Sequence, residues 1–97
     1  MTSSSPLRLL PWTTPEGNPC YLSTDDDHSR LSLLADELEA AQLDSAEQVL
    51  AGAKTVLSDA DAGEQAVRFA LTRALESLRD VLRIAISRGA RIHPHEP

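Results

Sequence analysis

The chain has 97 residues, 41% of them hydrophobic and 25% charged, the make-up of one small soluble globular domain. Its net charge of −6 leaves no excess of cations to displace counterions, so nucleic acid and anionic membranes are excluded as partners. Three aromatics, Trp12, Tyr21 and Phe69, leave the core to Leu, Val, Ile and Ala, which suits helix packing better than sheet packing.

The charge is uneven. Nine acids stand against Arg8, Arg30 and Lys54 in residues 1–57, whereas six acids balance six arginines in residues 58–97. A lone cysteine, Cys20, excludes an intramolecular disulfide and favours a reducing compartment. The N-terminal MTSSSPLRLLPW lacks the charged and apolar regions of a signal peptide, and no run approaches the length of a membrane span. Cytoplasmic residence is the expectation.

Residues 1–24 form a Pro-containing arm. Two short runs, 7–13 and 20–23, flank Thr14-Pro15-Glu16-Gly17-Asn18-Pro19, in which Pro15 and Gly17 fit positions i+1 and i+3 of a type I turn. The arm either pairs as a small β-hairpin or lies extended on the helices, since Pro11 and Pro19 remove ladder donors. The acids Asp25, Asp26 and Asp27 suit a first helical turn with Thr24 as N-cap. They lack the alternation and glycine of an EF-hand calcium loop.

A first helix is expected from Asp25 or Ser29 to about Leu57, on a stripe of Leu31, Leu34 or Ala35, Leu38, Ala41 or Gln42, Ala46, Val49, Ala53 and Val56 widened by Leu50 and Leu57. Gly52 either ends it early or admits another backbone closely. After a loop of about four residues, a second helix is expected over about 62–88. Asp61 and Glu64 are spaced as a capping box, and Gly89 is placed for a left-handed end. A short loop makes the two helices antiparallel neighbours.

The second helix carries two apolar rows: Leu71, Leu75, Leu78, Leu82 and Ile86, and beside it Val67, Ala70, Ala74, Val81 and Ala85. One partner helix covers one row, and the spare row is the candidate oligomer interface. Two hairpins about a two-fold axis would cover both, unless the arm, with Leu9, Leu10, Trp12 and Tyr21, lies over the second. The acids of the first helix and Arg68, Arg73, Arg79, Arg83 and Arg88 of the second are expected to attract across the seam and set its register.

No catalytic or phosphate-binding motif occurs, so the chain reads as a non-enzyme without cofactor. Cys20, His28, His93 and His95 are the borderline metal ligands, but their spacing is not that of a zinc site. The arginine row is interrupted by Glu64, Glu76 and Asp80 and lacks interleaved aromatics, which argues against nucleic acid. Trp12, between Pro11 and Pro15, is either a plug on the helices or an anchor for a partner.

The fold expected is therefore all-α: an antiparallel helical hairpin (domain 25–89) with an N-terminal arm and a loose tail at 90–97, pairing as a homodimeric four-helix bundle. The function expected is that of an adaptor or regulatory module for an unidentified protein partner, contacted through Trp12, Tyr21, Asp36, Glu37, Glu39 and Asp44. The alternative is a small ligand- or metal-binding module with a pocket between arm and helices. Eight arginines to one lysine, with much alanine, indicate a GC-rich genome, and the overall make-up is similar to that of small acidic helical proteins of actinobacteria.

Overall fold

A computed structural model describes residues 7–23 and 29–92, the side chains of 91 and 92 excepted. The order is β1 (Leu7–Thr13), β2 (Pro19–Ser23), α1 (Arg30–Ser58) and α2 (Glu64–Ile92). The strands pair antiparallel as a two-stranded ribbon, and the helices form an antiparallel hairpin.

The ribbon turns where proline and glycine place it. Gly17 N–H donates to Thr14 O at 2.8 Å, and Asn18 N–H donates to Thr14 Oγ1 at 3.0 Å. Gly17 takes a φ of +88°, the left-handed residue that follows a type I turn in a three-residue hairpin. Leu9 pairs with Tyr21 and Thr13 with Pro19, so the register shifts between Leu9 and Thr13. Pro11 lies inside that irregular stretch, where its missing N–H costs no ladder bond.

Helix α1 starts at Arg30, with Ser29 as N-cap accepting the Ser32 N–H at 3.2 Å. The expected Thr24 cap and the acids 25–27 lie outside the described residues. Gly52 neither ends the helix nor admits a close backbone, because a Cβ built there would meet nothing within 4 Å. The connection runs from Asp59 to Gly63. Asp61 N–H donates to Asp59 Oδ1 at 2.9 Å in place of the expected capping box, and α2 starts at Glu64 with Val67 N–H donating to Gly63 O. Asp61 is thus spent on the turn preceding the helix. Nor does Gly89 terminate α2, which continues to Ile92, because each added residue closes a further backbone bond and Ala90 and Arg91 are good helix formers.

Burial is concentrated where the ribbon meets the open end of the hairpin. The fully buried apolar side chains are Leu10, Ala35 and Ile84, and beside them lie buried Arg8, Ser32, Glu39 and Ser87. Arg8 Nη1 donates to Ser32 O at 3.1 Å, and its Nη2 donates to Asp36 Oδ1 at 2.7 Å and lies 3.4 Å from Glu39 Oε2. Arg88 Nη2 approaches Glu39 Oε1 at 3.6 Å. Two neutral bonds complete the dock: Ser87 Oγ to Leu9 O and Gln42 Nε2 to Pro11 O, each 3.0 Å. The ribbon is therefore held against both helices at once.

Two consequences are measurable by urea unfolding. Arg8→Met should cost about 3 kcal/mol or more, since a buried carboxylate loses its nearest cation, while the double change Arg8→Met, Glu39→Leu should cost much less than the sum. Gly52→Ala should raise stability by about 1 kcal/mol, because the added methyl finds open space on a helix that is already formed.

Candidate functional site

The most unusual surface of the molecule is one side of α2. Helix α1 covers Ala70, Ala74, Ser77 and Val81, which are half-buried; Ile84 and Ser87 are buried, and Ser87 bonds to the ribbon at Leu9. Leu71, Leu75, Leu78, Leu82 and Ile86 remain between 51% and 69% exposed, with Val67 continuing the row. Among the described residues, the ribbon does not lie over them. Its dock reaches α2 through Ser87, on a different side of the helix from the leucines.

Helix α1 extends this apolar surface. Leu50 and Leu57 are exposed, and the groove of about 430 Å³ that they share with Val67, Ala70, Leu71 and Ala74 is walled by both helices. A second groove continues it along Ala46, Val49, Leu50, Ala74, Leu78 and Val81. On the opposite side of the hairpin a groove of about 320 Å³ lies over Gly52, between Gln48 and Phe69. The walls of the first two are mostly Ala, Val and Leu, with Lys54 and Asp59 in the first and Ser77 in the second, fewer polar groups than usually fix a small ligand.

The charges are distributed differently from the expectation of an electrostatic seam. Arg68, Arg73 and Arg83 pair within α2, with Glu64, Glu76 and Asp80. Of the basic row only Arg88 reaches α1, at Glu39. Register is set instead by packing and by that buried end, since exposed pairs contribute little. Asp36 is held by Arg8, and Glu39, read from sequence as a surface acid, is 1% exposed and faces inward. Glu37 and Asp44 are exposed on α1, Trp12 is half-buried in β1, and Tyr21 is exposed on β2.

Sequence reasoning missed Arg8. The available signal was an isolated cation inside the apolar run Leu7–Thr13, in a half of the chain otherwise dominated by acids. Among the described residues no group of three or more His, Cys, Asp or Glu is arranged to hold a metal ion. Cys20 is a half-buried free thiol, while His28, His93 and His95 lie outside the described residues. Among the described residues no helix is long and apolar enough to cross a membrane.

No protein-family model matches the chain, and no curated protein or solved structure shows significant similarity to it.

Proposed function

We propose that this protein is a non-enzymatic interaction module of the cytoplasm that works as a homodimer, two hairpins closing into a four-helix bundle over the leucine side of α2. In that form it acts as an adaptor or regulatory partner. The surfaces left outside the bundle, Glu37 and Asp44 on α1 with Trp12 and Tyr21 on the ribbon, are the ones offered to another protein.

One observation carries the reading: five large apolar side chains stand in a single row, each more than half exposed among the described residues. The area supports a second copy as occupant. With Leu50 and Leu57 of α1 and Val67 of α2, eight large apolar side chains are each about half exposed or more. A specific interface takes about 800 Å² from each partner. The grooves argue against the small-ligand alternative, being open, apolar and continuous along both helices.

Sedimentation at tens of micromolar should show a dimer, with a melting temperature that rises with concentration as mass action requires. Leu78→Asp should give a monomer that keeps its helical circular dichroism, because Leu78 is exposed in the single chain and the carboxylate enters water rather than the chain's own core. A wild type that is monomeric at that concentration overturns the homodimer.

A further inference from the structure

The uncovered face does more than invite a second copy; its rim charges select how that copy lies. The inference rests on the homodimer reading above. Two arrangements bring two such faces together. A two-fold axis perpendicular to the helices stacks the leucine row on itself, α2 against α2. An axis parallel to the helices stacks α2 of each copy on α1 of the other, antiparallel throughout.

Three observations separate them. The apolar face belongs to both helices, with Leu50 and Leu57 of α1 joining Leu71 and Leu78 of α2 along shared grooves, so a two-helix cover fits it better than one helix seam. Next, Arg79 is the one arginine of α2 between Arg68 and Arg88 with no acid partner among the described residues, and Glu47 of α1 has no cation there either. Both are exposed. At about 100° per residue, Arg79 falls on the edge of α2 away from α1, and Glu47 on the edge of α1 away from α2. They cannot meet within one chain.

Their heights along the hairpin are the third observation. The Glu39–Arg88 pair and the wall shared by Ala46, Leu50, Leu78 and Val81 set Glu47 and Arg79 level with one another. Rotation about an axis parallel to the helices preserves that level and carries each outer edge of α2 over the outer edge of α1 in the other copy. Arg79 then faces the partner's Glu47, twice per dimer. The perpendicular axis, centred on Leu78 in the middle of the leucine row, would instead set Arg79 beside the partner's Arg79. Like charges at one interface oppose association.

We propose that the second copy docks about an axis parallel to the helices, with α2 seated on the partner's α1 and reciprocal Arg79–Glu47 pairs fixing the register. The apolar contact supplies the affinity; the two charge pairs choose between the alternatives.

The test is a charge-reversal cycle on the full chain, read by sedimentation equilibrium, with circular dichroism confirming the fold of each variant. Glu47→Arg and Arg79→Glu should each weaken the dimer roughly tenfold, and the double variant should return to within about twofold of wild type. Neither residue pairs with a described residue of its own chain, so a local effect on folding would not produce that rescue. Single effects that add instead of cancelling overturn the parallel axis while leaving the homodimer in place. Tighter association of Arg79→Glu alone also overturns it and supports the perpendicular axis. A monomeric wild type overturns both this arrangement and the homodimer beneath it.

Discussion

The structure depends on a carboxylate that has been taken out of water. Glu39 sits inside the fold with Arg8 of the ribbon on one side and Arg88 of α2 on the other, so one side chain of α1 ties all three parts of the molecule together. Desolvating such a group is expensive, and an ion pair of this kind often adds little net stability over an apolar substitute. What it does impose is position. The Arg8 guanidinium also takes the Ser32 carbonyl and the Asp36 carboxylate, and no shifted register of the ribbon would satisfy all three acceptors. The ribbon, which would be marginal alone, acquires a defined seat.

That solution leaves the rest of the hairpin thinly packed. Among the described residues the buried apolar side chains are Leu10, Pro11, Ala35 and Ile84, all near the ion cluster. Toward the connecting loop, α1 meets α2 through Ala53, Val56, Ala70 and Ala74, small residues that let the backbones approach but remove little area from water. Two helices of 29 residues each cannot bury a two-sided apolar pattern against one another. The unburied remainder is what the leucine row consists of, so the row and the weight carried by the ion cluster follow from the same shortage of core.

The parts of the fold that were legible in the sequence are those set by repetition. Apolar recurrence over dozens of residues specifies helices whatever surrounds them, and Pro15 with Gly17 specifies a turn through local backbone chemistry alone. The spare row of α2 was legible for the same reason, since counting rows against available covers needs no coordinates. Single-residue readings fared worse. Asp61 and Glu64 had the right spacing for a capping box, yet the short loop used Asp59 and Asp61 for its own turn. Gly89 and Gly52 looked like interruptions, but the roughly 1 kcal/mol that a helical glycine costs is small beside the bonds a continuing helix keeps. Arg8 and Glu39 were illegible as a pair because they are 31 positions apart in the chain, and pairing across that separation is decided by how the ribbon folds back.

The arginines of α2 show how charge and packing divide their roles. Arg68, Arg73 and Arg83 are neutralised one turn away on their own helix, pairs too exposed and too local to discriminate between partners. Arg88 is committed to the buried end. Among the described side chains of α2, Arg79 is the arginine without an acid partner, at the rim of the apolar row, and Glu47 at the rim of α1 has no cation partner there. Leucine on leucine is attractive in any relative orientation, because the hydrophobic effect has no direction. A face made only of leucine would therefore tolerate several dimers. In the dimer proposed above, Arg79 and Glu47, on opposite edges at one height, would break that degeneracy, being satisfied together in one orientation and confronted with their likes in the other.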